Sequence, residues 1–271
     1  MIALGLLFAL AVPLLLMSIG SDDDDDGGSD GDENIRGARI EGTEDREFLE
    51  GGAGDDRIDG LGGDDLLAGR GGDDTLNGGD GPDLLYGGLG DDLSRGGPGD
   101  DLIVDFAGAD TLIGSDGDDL VISGGTGDVD AVIALLSTTS GPIPDDAVEE
   151  ALNLVLEPNP GDPGDELRLG AGDDVAILGE NDTVLTGSGV DTLIAGDWIG
   201  DQAVTITEFD PASDVLVYSY TGPEPLITLT EDDDGAVGIL ANGIRFATLT
   251  DVDFFDIDAS AVVLLDRSAA V

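Results

Sequence analysis

Along residues 51–122 an aliphatic side chain returns every nine residues: Ile58, Leu67, Leu76, Leu85, Ile103, Leu112 and Val121, with Ser94 the one break. Between them the chain is polar and glycine-rich, in the units GGAGDDRID, GLGGDDLLA, GRGGDDTLN, GGDGPDLLY, GGLGDDLSR, GGPGDDLIV, DFAGADTLI and GSDGDDLVI. The sixth position is always aspartate and the fourth always glycine. A spacing of nine fits neither an amphipathic helix nor one alternating strand. Each unit reads as a tight turn followed by a strand of two or three residues whose eighth-position side chain points inward. Glycine allows the positive φ and the close backbone approach that such turns need. One unit buries one aliphatic residue and cannot stand alone. Two units make one coil of a flattened solenoid, and stacked coils bury a line of Leu, Ile and Val. Degenerate units begin at Gly42 and Gly124.

The pattern elsewhere divides the chain. Residues 2–19 are apolar apart from Gly5, Pro13 and Ser18, and read as a hydrophobic helix serving as signal peptide or membrane anchor, in a segment 1–20. An acidic linker follows over 21–41, then the main roll over 42–132. An insertion over 133–168 carries a helical stretch, DDAVEEALNLVL, bounded by prolines. A second short repeat block spans 169–200, with GAGDDVAIL from Gly170 and GSGVDTLIA from Gly187. Over 201–271 the pattern turns to alternating runs (VTITEF, DVLVYSY, PLITLT, AVGIL, IRFATL), the mark of an antiparallel β-cap closing the solenoid's open end. The expected fold is therefore all-β: a parallel β-roll with a C-terminal antiparallel β-cap and an N-terminal hydrophobic helix.

Charge changes this picture. The 271 residues carry 61 acidic against 9 basic side chains, a net charge of −52, yet 40% of the chain is hydrophobic. Such charge opposes compaction. The two facts agree if cations neutralise the acids of the folded state. Nucleic acid is excluded as a partner, because no basic footprint exists. All nine basic residues are arginine, and histidine, lysine and cysteine are absent. That removes His-based triads, thiol nucleophiles, Schiff bases and zinc–thiolate sites. The chain is read as a non-enzyme.

Calcium prefers hard oxygen ligands in flexible geometry. The G-G-x-G-x-D turn offers both kinds, backbone carbonyls from its glycines and a carboxylate from its aspartate. The candidate carbonyl donors are Gly54, Gly63, Gly72, Gly81, Gly90, Gly99 and Gly117. The repeat resembles the RTX, or hemolysin-type, calcium-binding family. That resemblance implies several Ca²⁺ ions held between successive turns on each side of the roll. Asp56, Asp74, Asp92 and Asp110 would serve one side, and Asp65, Asp83, Asp101 and Asp119 the other, with Asp174 and Asp191 in the second block. The fifth-position acids, Asp55, Asp64, Asp73, Asp91, Asp100 and Asp118, read as solvent-facing charge. In the seventh unit Asp105 and Phe106 replace the first two glycines, and Phe106 should resist a positive φ. The site between Asp92 and Asp110 is then expected to be the weakest inner site.

The segment ITEFDPASDVL is similar to the start of the cap in secreted RTX proteins, and the acidic, apolar tail is similar to type I secretion signals. Both imply a secreted protein, whereas residues 2–19, a segment that type I substrates usually lack, would export the chain as a signal peptide or anchor it at the surface. The leading function is calcium binding that drives folding. The alternative is a calcium-dependent adhesin or carbohydrate-binding module with an extracellular glycan partner, in which Trp198, Tyr218 and Tyr220 either line a recognition face or pack in the cap. A carboxylate-based glycan-active enzyme ranks below both.

Overall fold

The computed structural model describes residues 37–124, 163–200 and 202–269. The expected N-terminal helix, most of the acidic linker and the helical stretch of the insertion lie outside the described residues. Among the described residues no helix is long and apolar enough to cross a membrane.

Strands, numbered along the chain, alternate between two parallel sheets. One sheet holds β1 (Arg39–Glu41), β3 (Arg57–Gly62), β5 (Thr75–Asp80), β7 (Leu93–Pro98), β9 (Thr111–Asp116), β11 (Glu166–Ala171), β13 (Thr183–Ser188) and β15 (Val204–Thr207). The other holds β2 (Phe48–Glu50), β4 (Leu66–Gly71), β6 (Leu84–Leu89), β8 (Leu102–Val104), β10 (Leu120–Ile122), β12 (Val175–Ile177), β14 (Thr192–Gly196) and β16 (Val215–Tyr220). This is a parallel β-roll. Each strand pairs with the one two units away, so Ile58 stands beside Leu76 and Leu67 beside Leu85. The aliphatic eighth positions, from Ile58 to Val121, are 0% exposed. Burying each such side chain contributes about 1.5–3 kcal/mol. Ser94 is equally buried in this line, between Leu76 and Leu112, and its Oγ has no hydrogen-bond partner.

The second repeat block continues the same roll. Leu112 pairs with Leu167 and Val121 with Ala176, so both sheets continue unbroken from β9 to β11 and from β10 to β12.

The cap extends both sheets. β17 (Ile227–Glu231), β18 (Val237–Ala241) and β19 (Ile244–Leu249) form an antiparallel meander. β19 joins the first sheet by pairing parallel to β15, and β20 (Val262–Asp266), from the acidic, apolar tail, pairs parallel to β16. Antiparallel pairing, expected for the whole cap, is thus confined to the meander. Trp198, Tyr218 and Tyr220 are buried. The Trp198 indole donates to the Leu178 carbonyl at 2.8 Å, and Tyr218 packs on Phe246 with ring centroids 4.5 Å apart. Of the two roles open to them, these aromatics fill the packing one.

Candidate metal centre

Each turn between the sheets ends on its sixth-position aspartate. Strand pairing then places these aspartates in two ladders, one along each side of the roll. The first holds Asp56, Asp74, Asp92 and Asp110; the second holds Asp65, Asp83, Asp101 and Asp119. All eight are buried. Within each ladder the carboxylate is aimed by backbone hydrogen bonds. Asp56 N–H donates to Asp74 Oδ1 at 2.7 Å and Asp65 N–H to Asp83 Oδ1 at 2.8 Å, and the pattern repeats to Asp110 and Asp119.

Two members of the first ladder escaped the sequence reading. Asp110 N–H donates to Asp165, and Asp165 N–H to Asp182, both at 2.8–2.9 Å. The insertion and a one-residue deletion hide them from a count of nine, but each keeps the Asp-x-aliphatic triplet, as Asp165-Glu166-Leu167 and Asp182-Thr183-Val184. The second ladder runs on through Asp174 and Asp191 and closes at Asp214, which the sequence reading did not single out.

The other carboxylate oxygen carries the chemistry. Oδ2 of Asp65, Asp74, Asp83, Asp92, Asp101, Asp119, Asp174 and Asp191 is buried with no hydrogen-bond partner. At the ladder ends the protein supplies one. Asp56 Oδ2 accepts from Gly52 N–H at 2.5 Å, Asp182 Oδ2 from Ser123 Oγ at 2.7 Å and Gly179 N–H at 2.6 Å, and Asp214 Oδ2 from Asp210 N–H at 2.8 Å. A buried, unsatisfied carboxylate oxygen costs several kcal/mol unless a cation meets it. Six arginines pair elsewhere, Arg39, Arg57, Arg70, Arg168, Arg245 and Arg267 with Glu41, Asp59, Glu50, Glu166, Asp232 and Asp197, and Arg46 lies near enough to Asp65 to favour its charged form.

Burial therefore holds these carboxyls well above the ordinary 3.8. Asp101 is pushed up to about 9, Asp119 to about 8, and Asp65, Asp83 and Asp191 to about 7. Asp74, Asp92 and Asp174 rise to about 6. Desolvation is the main cause, the amide bonds oppose it, and neighbouring acids add to it.

Carbonyl oxygens complete the donor set. At Gly51 a Cβ would strike both Asp56 Oδ2 and the Gly69 carbonyl, and Gly60, Gly69 and Gly78 repeat this with Gly78, Gly87 and Gly96. First-position carbonyls of the following rung thus converge with the sixth-position carboxylates. The fourth-position glycines, expected as carbonyl donors, lie against one another along the roll. A Cβ at Gly72, Gly81, Gly90, Gly99 or Gly117 would strike the carbonyl of Gly54, Gly63, Gly72, Gly81 or Gly99, so these glycines stack rung on rung. Positive φ at Gly63, Gly72, Gly81, Gly90, Gly99 and Gly117 serves that stacking.

The fifth-position acids are exposed or half-buried, and several cap the next rung. Asp55 accepts from Asp73 N–H, Asp73 from Asp91 N–H and Asp100 from Asp118 N–H, each at 3.0 Å.

Buried, aimed carboxylates converging with carbonyls form an all-oxygen donor set, the kind a hard divalent cation takes. The RTX calcium-binding nonapeptide repeat family matches in four copies, over residues 41–76, 69–103, 95–129 and 178–197. The chain carries RTX calcium-binding repeats. No curated protein matches the sequence. Among solved structures, the chain is similar to the extracellular lipase LipA from Serratia marcescens, at 18% identity and a TM-score of 0.23. The match covers 83% of this chain and 40% of the lipase chain, so the RTX chain spans less than half of that protein.

Proposed function

We propose that the chain is an extracellular calcium-binding module whose RTX roll folds when several Ca²⁺ ions fill the two aspartate ladders. The supporting observation is the run of buried, aimed Oδ2 atoms that no protein group satisfies. Each ion would take carboxylate oxygens of Asp74, Asp92 and Asp110 on one side, or of Asp65, Asp83, Asp101, Asp119, Asp174 and Asp191 on the other, together with glycine carbonyls. Affinity on the order of 10⁻⁴ to 10⁻³ M suits an extracellular module. Cytosolic calcium lies far below that, so the chain would stay unfolded until export, with residues 2–19 as signal or anchor. A reporter fused after Glu33 and left in the cytoplasm would remove that export route.

The decisive experiment is a calcium titration of the purified chain, followed by far-UV circular dichroism and small-angle scattering. At mildly alkaline pH, where the buried carboxyls have lost their protons, chelated protein should lack the β signal and be expanded; calcium should restore both. Retention of a compact β-fold in chelator would defeat the reading. An adhesin role loses its aromatic face to the burial of Trp198, Tyr218 and Tyr220.

A further inference from the structure

The seventh unit breaks the repeat where Asp105 and Phe106 stand in place of two glycines. Phe106 avoids the positive φ taken at this position by Leu61 (74°), Arg70 (82°) and Ser115 (100°). β8 stops at Val104, as short as β2, β10 and β12, where β4 and β6 run three residues further into the turn. Phe106 is instead buried in the hydrophobic core. This rearranged turn swings the Asp105 side chain inward, to 0% exposure.

Asp105 is held in place at one oxygen. Its Oδ1 accepts from Phe106 N–H at 2.9 Å and, at 3.4 Å, lies in reach of Gly88 N–H. Its Oδ2 is buried with no hydrogen-bond partner. One carboxylate oxygen from each of Asp92, Asp105 and Asp110 lies within 4.8 Å of the others. The position is informative. A Cβ on Gly51, Gly60, Gly69 or Gly78 would meet the neutral carbonyl of the next rung, whereas on Gly87 it would meet Asp105 Oδ2 and Asp92 Oδ2. Where those four rungs present a carbonyl, this rung presents a carboxyl oxygen, and only glycine at 87 leaves room for it.

We propose that Asp105 converts the site between Asp92 and Asp110 into a three-carboxylate calcium site, the tightest in the roll and the first to fill. This rests on the reading of the ladders as calcium sites. It reverses the rank expected from sequence, where Asp105 counts only as a lost glycine. Affinity in oxygen-donor calcium sites rises with ligand charge, and a third carboxylate replaces a neutral donor here. Three buried carboxylates this close must otherwise take up protons, since like charges at such separation do not all stay ionised. Filling this site would join two mid-roll rungs before the weaker sites load on either side.

The test is calcium calorimetry on the full chain and on Asp105→Asn and Asp105→Gly, with the β signal recorded at saturating calcium. The wild type should show one step tighter than the rest by about tenfold, with one ion bound ahead of the others at about 10⁻⁵ to 10⁻⁴ M calcium. Both variants should lose that step and that ion while still folding in excess calcium. Asp105→Gly restores the repeat's own residue, so it guards against a variant that fails to fold. A wild type with a single class of weak sites would overturn the proposal and leave the ladder reading standing. So would variants that keep the tight step, or that gain stability in chelator with unchanged calcium affinity, the mark of a shared proton. Absence of any calcium binding in the wild type would instead remove the ladder reading itself.

Discussion

The two sides of the roll are built from the same nine-residue unit and end up unlike each other. The side running from Asp65 through Asp83, Asp101, Asp119 and Asp174 to Asp191 is uniform, and Oδ2 of each of these six is left unsatisfied. The opposite side starts on Asp56, served by Gly52, and ends on Asp182, served by Ser123 and Gly179. Its middle gathers Asp92, Asp105 and Asp110 together. One side thus spreads its unmet charge evenly along its length, and the other, besides the unsatisfied Asp74 Oδ2, gathers three carboxylates at one place. A repeat sequence sets where carboxylates stand. Departures from it decide which of them the protein satisfies and which it leaves for a cation.

The largest test of that contrast is acid. Without calcium, buried carboxyls with raised pKa bind protons in the folded roll that the unfolded chain does not. Each contributes stability that is full below its unfolded value of 3.8 and is lost as pH rises through the folded value. The loss is complete by about 6 at Asp74 and Asp92, and continues to about 8 at Asp119 and about 9 at Asp101. Chelated protein should therefore show its β signal at about pH 4.5 and lose it by about pH 8, while calcium-saturated protein changes little between them. Salt separates this from general charge repulsion. At about 1 M the screening length is about 3 Å, which quiets surface charge and leaves buried carboxylates largely untouched. If salt restores the fold at about pH 8 as fully as acid does, the ladders are not what opposes folding.

Smaller effects come from single carboxylates. At calcium about one hundred times the dissociation constant, a lost site removes about 2.7 kcal/mol. Asp110→Ala takes away one of the three clustered carboxylates and the acceptor for Asp92 N–H. It should raise the calcium midpoint for folding more than Asp74→Ala on the same side or Asp101→Ala on the other. The sequence alone ranks Asp110 below Asp74, because Phe106 reads as damage to that turn. Parallel titrations at equal protein and salt would decide between the rankings. Equal shifts would erase the difference between the sides.

Much of this was legible in the chain. The spacing of Ile58, Leu67 and Leu76 against their aspartates is enough to derive two parallel sheets with aspartates at the turns, because one rung needs two units. What escaped had physical causes. Asp165 and Asp182 fell outside a strict count, since sheet pairing tolerates an insertion or a deletion in the turn as long as the strand triplet survives. Asp105 was invisible as a donor because its role follows from a φ that Phe106 does not adopt, and no spacing rule carries that. The carbonyls facing the carboxylates are those of first-position glycines, a matter of which way each peptide turns.

The smallest expected effect concerns the core beneath the clustered site. Ser94 is the only non-aliphatic eighth position in residues 51–122. It is 0% exposed, stands between Leu76 and Leu112 in the first sheet, and its Oγ has no hydrogen-bond partner. A buried hydroxyl without a partner costs about 1–3 kcal/mol. Ser94→Val removes that hydroxyl, adds apolar surface in the line of aliphatic residues and suits a strand. Valine is also larger than serine, and crowding by its second methyl offsets part of the gain. The net expectation is about 1 kcal/mol of added stability, read as a higher midpoint in urea at saturating calcium with an unchanged slope. Calcium affinity at the Asp92–Asp105–Asp110 cluster should stay the same, because the side chain at 94 points into the core and away from the turn. Lower stability would mean that the rungs around Ser94 are packed to fit serine. Tighter calcium binding with unchanged urea stability would mean that core and turn are coupled at this rung, so that the two sides of the roll differ in their packing as well as in their charge.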